Sequence, residues 1–302
     1  SQLLLLTGAL QNDRVSLLSL GHKHFYGLDN VPFDYDQAYV YYRQMAEISK
    51  DEHYQPREKE VSMEYIRLTN EKIIDELTFD QSDTFFWLKD QARRGVTSAQ
   101  RQLGALMYWG RNGLSRNVQA AVEYFRQGAN DNQDPTAHFG YGLALLKGHG
   151  AEKNMTKGVE HFNKAVEKGF YGAYVALGWH AYEIEKNYTK AAYYWMECYN
   201  RLKDAHCAHN LGVMWSAGHY PGFKKDIVLG WSYYSYAALS GQIDSKIVVA
   251  QYNARGYPMV SRNSLLSATW SRNVAEDSTV VGTLVRNGLK AYHQQQWCVT
   301  WS

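Results

Sequence analysis

The stretch SAQRQLGALMYWG, residues 98–110, decides the fold and raises a question about one glycine. Its apolar residues recur at intervals of three and four positions, which predicts an amphipathic helix. Gly104 lies in the middle of that helix, where glycine costs about 1 kcal/mol relative to alanine. A glycine at this position therefore needs a compensating role in packing.

The same pattern recurs along the chain. Residues 137–148 read AHFGYGLALLKG, residues 173–183 read AYVALGWHAYE and residues 207–218 read CAHNLGVMWSAG. The residues that align with Gly104 are Gly142, Gly178, Gly212 and Ala250, and an earlier copy carries Gly21. From Gly104 to Ala250 the spacings are 34 to 38 residues, and a second helical stretch such as AAVEYFRQGA follows each copy.

Two helices per unit at this period predict an all-α fold, an α/α superhelix (solenoid) of about six to seven helix-turn-helix repeats. The count of only five prolines agrees with a long helical array, because proline inside a helix breaks it. Without a Cβ, the glycine of each first helix allows close contact with a bulky aromatic residue. We expect Gly104 and its counterparts to be packing residues.

The pattern A-x-x-x-L-G-x-x-Y/L-x-x-G, followed by A-x-x-Y/W-x-x-x-A, resembles the Sel-1-like repeat, a relative of the tetratricopeptide repeat. Residues 61–77, VSMEYIRLTNEKIIDEL, are expected to form the first helix of a repeat that has lost its glycine. The predicted organisation is a single solenoid over 1–302, with degenerate units at 14–95, an exposed charged insertion at 47–60, regular repeats at 97–276 and a C-terminal helix at 279–296.

Several stretches, among them QAYVYYRQMA and KNYTKAAYYWMEC, are most similar to the repeat region of the animal sel-1 homolog 3 subfamily. This resemblance implies scaffolding of partner proteins in the secretory pathway, as part of a longer, membrane-anchored protein. The founding family member acts in an endoplasmic-reticulum quality-control ligase complex. The expected location is therefore the endoplasmic reticulum lumen, the cell surface or the exterior.

Composition argues against two other classes of protein. The net charge is +2, from 32 basic and 30 acidic residues without a dense basic stripe, so nucleic-acid binding has little support. The longest aliphatic run, residues 3–6, is too short to span a bilayer. We therefore expect no nucleic-acid partner and no membrane insertion by this segment.

Cys198 and Cys207 lie at the joint between two predicted repeats. The arrangement resembles the cysteine-rich bacterial branch of the repeat family, in which a disulfide joins consecutive units, although the spacing here is one residue longer. The resemblance implies a Cys198–Cys207 disulfide, and two separate buried thiols are the alternative. A disulfide would favour an oxidising compartment.

Asn154 in NMT and Asn187 in NYT match the N-glycosylation sequon. Both fall between the first and second helices of a repeat, where a glycan would not disturb packing. These two asparagines are the predicted glycosylation sites.

Sequence patterns nominate no catalytic group, no metal ligand set and no cofactor. The pair His206 and His209 has helical spacing for zinc, but no second pair of ligands lies nearby in sequence. Phosphate-loop, zinc-protease and serine-hydrolase motifs are all missing. We therefore predict a protein that is not an enzyme and binds neither metal nor cofactor.

The expected activity is binding of other proteins along the concave face, which the first helices of a solenoid usually line. Trp179 is the best candidate anchor, because aromatic residues dominate binding hot spots, and packing between repeats is its alternative role. The non-core first-helix positions that we nominate are Gln102, Trp179, His180, Asn210 and Gln251. The alternative function is self-association through exposed ends of the array.

Overall fold

The computed structural model describes residues 2–55, 57, 59–63, 82–112, 114–130, 134–257 and 259–293. Within these residues the chain is all-α, with an isolated bridge between Tyr257 and Val260 as its only β-type pairing. A 3-10 turn spans Tyr171–Ala173. The helices are α1 Gln2–Leu10, α2 Arg14–Tyr26, α3 Tyr35–Tyr54, α4 Asp83–Arg93, α5 Thr97–Trp109, α6 Val118–Asn130, α7 Pro135–Lys147, α8 Met155–Glu167, α9 Tyr174–Glu183, α10 Tyr188–Leu202, α11 Ala205–Ala217, α12 Ile227–Leu239, α13 Ile243–Arg255, α14 Ser264–Ala275 and α15 Thr279–His293.

The chain divides into two compact units. Unit 1 comprises Ser1–Tyr54 and Gly178–Ser278, and unit 2 comprises Gln55–Leu177 and Thr279–Ser302. The regular helix pairs expected over 97–276 are present from α5 to α14. The assignment of all 302 residues to a single solenoid remains a prediction.

The last glycine of the repeated pattern ends the first helix. Gly110 follows α5 with φ of 66°, a left-handed conformation that glycine adopts without steric penalty. Its N–H donates to the carbonyl of Leu106, which satisfies one of the carbonyls left free at the helix end. This glycine thus has a different role from the one inside the helix.

The glycine inside each first helix packs against an aromatic ring of the second helix in the same repeat. A Cβ added to Gly104 would lie 2.8 Å from the ring of Phe125, closer than a real Cβ contact allows. The same arrangement occurs in five repeats, with the pairs Gly21–Tyr42, Gly104–Phe125, Gly142–Phe162, Gly178–Trp195 and Gly212–Tyr234. The predicted packing role of these glycines is confirmed.

The repeat formed by α13 and α14 departs from this pattern in both helices at once. Ala250 replaces the glycine, and Ser271 stands at the position where the other second helices carry the aromatic residue. Both side chains are buried. Loss of the ring in the second helix leaves room for a Cβ in the first, so the two changes compensate each other.

The helices of the N-terminal repeat pack against the last repeat of unit 1, more than 200 residues away in sequence. The contact joins α3 to α14, two second helices. Ser49 Oγ donates to the carbonyl of Ala275 at 3.1 Å, and Arg262 contacts Asp36 at 2.8 Å. A simple array in which each repeat contacts only its sequence neighbours does not contain this interface.

The predicted exposed insertion at 47–60 was partly wrong. Residues 47–54 form the last turns of α3, and Ser49 and Glu52 are buried. The reason is the α3–α14 interface, which supplies hydrogen-bond partners for polar side chains that look solvated in the sequence.

Two of the predicted helices extend beyond the residues that the structure describes. Of the first helix expected at 61–77, residues 64–77 lie outside them. Helix α15 is described to His293, so the last three residues of the helix predicted at 279–296 also lie outside. No described helix combines the length and apolar character that a bilayer span requires.

Candidate functional site

All five predicted binding residues lie on first helices, as expected. Gln102 lies on α5 in unit 2 and is exposed. Trp179 on α9 keeps 39% of its surface exposed, while Asn210 and Gln251 are partly buried. Trp179 therefore offers an accessible indole, and its role in binding stays a prediction.

His180, beside Trp179, is tied into a charged cluster at the end of α9. Its Nδ1 lies 3.2 Å from Glu185 Oε1, and Lys190 Nζ donates to both oxygens of Glu185 at 3.0 Å. The hydrogen bond from Lys190 lowers the pKa of the Glu185 carboxyl. Glu185 is ionised at neutral pH and orients His180 next to the indole.

Unit 2 contains an apolar groove between the first helices α5 and α7 that sequence reasoning missed. Its volume is about 190 Å³. Phe125 forms part of its wall, and Arg101 is the one charged residue in the described part of the lining. The lining residues are Arg101, Ala105, Tyr108, Trp109, Phe125, Thr136, Phe139, Gly140, Leu143 and Phe170.

Gly140, a lining residue of this groove, packs against its wall. A Cβ added to Gly140 would lie 2.9 Å from Phe125, the ring that also packs under Gly104. Two positions before the packing glycine, α5 has Gln102 and α11 has Asn210, whereas α7 has Gly140. The second glycine of FGYGLALL was the available signal, but glycine alone does not reveal a groove.

The predicted disulfide is present. Cys198 at the end of α10 and Cys207 in the first turn of α11 are bonded, with a Cα–Cα distance of 6.2 Å. Asp204 caps α11 by accepting hydrogen bonds from the backbone N–H groups of His206 and Cys207. The bond therefore fastens the turn that joins two consecutive repeats of unit 1.

We expect reduction of this disulfide, or the double substitution Cys198→Ser and Cys207→Ser, to lower the free energy of unfolding by roughly 2–3 kcal/mol, because the short closed loop restricts the unfolded chain. Urea unfolding with and without reductant measures the difference. The double serine variant is the control, since reductant should not change its stability. Equal stability of the oxidised and reduced wild-type protein would contradict the expectation.

One histidine of the pair considered for zinc, His209, has another partner. His209 Nδ1 hydrogen-bonds to Ser245 Oγ at 2.7 Å, and burial lowers the pKa of His209 to about 4. Within the described part of the chain, the one group of at least three metal-ligand side chains is Cys198, Asp204 and Cys207, and its two thiols form the disulfide. The absence of a resident metal remains a prediction.

The two sequon asparagines are N-caps of second helices. Asn154 Oδ1 accepts from the N–H of Lys157, and Asn187 Oδ1 accepts from the N–H of Lys190, both at 3.0 Å. The capping contact uses the side-chain oxygen, while a glycan would be attached to the nitrogen. Capping and glycosylation are therefore compatible at both sites.

Curated proteins and solved structures with similarity to this chain include the following. One curated relative is the ERAD-associated E3 ubiquitin-protein ligase component HRD3B of Arabidopsis thaliana, 27% identical over 158 residues. The match covers 40% of this chain and 26% of that protein, so the chain spans about a quarter of its relative.

Two solved structures are of bacterial proteins. A Sel1 repeat protein from Oxalobacter formigenes is 18% identical, with a TM-score of 0.49 and coverage of 87% of each chain. The c5321 antigen of uropathogenic Escherichia coli, which displays an SLR fold, is 18% identical, with a TM-score of 0.41 and coverage of 98% of this chain and 68% of its own.

The Sel1 repeat family matches this chain in five segments, which together make up more than half of it. The matched residues are 15–48, 97–132, 135–170, 173–198 and 205–242. The closer resemblance to the animal homolog 3 subfamily remains a prediction. The segments coincide with helix pairs whose glycine–aromatic contacts are described above, and the chain therefore belongs to the Sel1 repeat family.

Proposed function

We propose that this protein is a non-enzymatic scaffold of the secretory pathway that binds partner proteins through exposed residues of its first helices. Sel1 repeat proteins are generally protein-interaction scaffolds. The observation that carries the proposal here is Trp179, an indole 39% exposed on α9 next to the charged cluster of His180. Exposed aromatic residues beside polar groups are typical of interface hot spots.

The remaining nominated residues are further candidate contacts on other first helices. Asn210 on α11 and Gln251 on α13 belong to the same unit as Trp179. Amide side chains add directional hydrogen bonds at the edge of an apolar contact. Gln102, in unit 2, contributes a separate contact on α5.

The test is affinity capture from the secretory fraction of the source cell. The wild-type protein is compared with a variant carrying Trp179→Ala and His180→Ala, and with the matched control Trp87→Ala, which removes an indole 62% exposed on the second helix α4. We expect the double variant to lose specific partners and the control to keep them. An unchanged set of partners in the double variant would refute binding through this surface.

The secretory location rests on the disulfide, the two sequons and the similarity to HRD3B, a component of an ERAD-associated E3 ubiquitin-protein ligase. If Asn154 and Asn187 carry glycans, peptide N-glycosidase should shift the protein made in secretory cells by two glycan masses. Asn154→Asp and Asn187→Asp should each remove one shift and keep the helix cap, because aspartate also caps helices. No shift in the wild-type protein would contradict glycosylation.

One observation favours self-association as a second function. Helix α1 carries no charged residue, and Leu3, Leu6 and Leu10 form a stripe on it at i, i+3 and i+7. Their exposed fractions are 73%, 39% and 85%. Light scattering after size exclusion should then show a dimer that Leu3→Gln with Leu10→Gln converts to a monomer. A monodisperse wild-type monomer would exclude this function.

A further inference from the structure

The groove of unit 2 has the size of a side-chain pocket. At about 190 Å³ it is smaller than the roughly 300 Å³ and more of sites for drug-sized ligands. Phe139, a lining residue, packs between two other rings. Its ring centroid lies 5.9 Å from that of Phe162 and 5.2 Å from that of Phe170. The walls are therefore preformed, so ligand binding costs little conformational entropy in the protein.

The residues that line the groove favour binding of an aromatic side chain. Tyr108 and Phe125 are nearly fully buried, at 4% and 7% exposure, so they form part of the rigid protein interior on one side of the groove. Gly140 lets α7 approach the Phe125 ring closely, because a Cβ there would lie 2.9 Å from it. The rings of Trp109, Phe139 and Phe170 also line the groove, so its walls are largely aromatic. Aromatic side chains favour offset or edge contacts with such rings.

The positive charge of Arg101 at the groove favours a carboxylate next to that aromatic side chain. Among the described residues that line the groove Arg101 alone is charged, and its side chain is 47% exposed. Its Nη1 lies 3.7 Å from Asp134 Oδ2, too far for a hydrogen bond, and the other oxygen of Asp134 caps α7 at Ala137. The guanidinium thus has N–H donors left for a second carboxylate.

We infer that this groove binds a peptide segment of a partner protein in which an aromatic side chain directly neighbours an acidic one. The aromatic ring enters between α5 and α7, and the acidic side chain pairs with Arg101. This inference rests on the proposed scaffold function and names the partner chemistry of one site in unit 2.

Three short peptides test the inference with the whole chain. N-acetyl-aspartyl-phenylalanine amide carries both features, the asparaginyl analogue lacks the charge, and the aspartyl-alanine analogue lacks the ring. Saturation-transfer NMR measures binding of each. We expect saturable binding of the first peptide, at least threefold weaker binding of the asparaginyl peptide, and none of the alanine peptide.

Two variants and one control locate the binding. Ala105→Trp fills the groove and should abolish binding, while Arg101→Gln should remove the preference for aspartyl over asparaginyl peptide. Arg111→Gln, an exposed arginine that does not line the groove, should change neither result. Circular dichroism checks that each variant is folded.

Binding that persists in Ala105→Trp, an equal affinity for the aspartyl and asparaginyl peptides, or no binding of the aspartyl-phenylalanine peptide would overturn the inference. Loss of peptide binding with intact partner capture through Trp179 refutes only the groove. Peptide binding with no partner captured through Trp179 refutes the proposed function instead.

Discussion

We expect Gly178→Ala to lower the free energy of unfolding by about 1–3 kcal/mol, although alanine is the better helix former. All three atoms nearest to an added Cβ belong to Trp195, a side chain that is 2% exposed and cannot move away without disturbing the core of unit 1. The steric conflict outweighs the gain in helix propensity. Urea unfolding followed by circular dichroism measures the change.

Gly288→Ala is the matched control. Gly288 lies inside helix α15, and an added Cβ would have no neighbour within 4 Å. There the intrinsic propensity should dominate, so we expect a gain of about 0.5–1 kcal/mol. If both substitutions change stability by the same amount and sign, the packing explanation for Gly178 fails.

The second large effect is expected for Glu52→Ala, which should lower the free energy of unfolding by about 3 kcal/mol. Glu52 is 2% exposed, and its two carboxylate oxygens contact Arg14 Nε at 2.6 Å and Ser278 Oγ at 2.8 Å. Its removal leaves a partly buried guanidinium without this carboxylate, and breaking a buried ion pair by deleting one partner is strongly destabilising. Urea unfolding again gives the magnitude.

Glu47→Ala is the control for this prediction on the same helix. Glu47 pairs with Lys50 at 2.7 Å, but its side chain is 42% exposed, so its loss should change stability by less than about 0.5 kcal/mol. Hydrogen exchange locates the effect: Glu52→Ala should raise exchange in α3 and α14, whereas Glu47→Ala should not. Equal effects of the two substitutions would show that the α3–α14 contact does not depend on Glu52.

The repeat could be predicted from sequence because its determinants are local and periodic. From Gly104 to Gly212 the glycines of consecutive repeats are 34 to 38 residues apart, and each ring that they contact lies about 20 residues later in the same repeat. The disulfide joins residues nine positions apart across one turn. Short sequence separation makes such contacts readable from pattern alone.

The contact between α3 and α14 could not be predicted, because it joins segments that share no periodic signal. Glu52 and Ser49 look like solvated residues in a charged stretch, yet Glu52 bonds to Ser278 and Ser49 to Ala275, each 226 residues away. Only the structure shows that both side chains are buried and hydrogen-bonded. The sequence signal for an exposed loop and for a polar, buried interface is the same.

The groove at Gly140 was missed for another reason. Side-chain chemistry in the sequence favours Trp179 and Gln102 as binding residues, whereas the groove depends on how α5 and α7 pack around one ring. Glycine in a helix has several explanations, and Phe125 contacts both Gly104 and Gly140. Only coordinates show that Gly140, like Gly104, packs against Phe125, and that a groove lies beside this ring.

A double-mutant cycle of Gly178→Ala and Trp195→Leu tests most directly whether bare glycines hold the two helices of each repeat together. We predict that Gly178→Ala is destabilising in the wild-type background and neutral or stabilising in the Trp195→Leu background, with a coupling free energy of at least about 1 kcal/mol. Equal destabilisation by Gly178→Ala in both backgrounds would contradict the account.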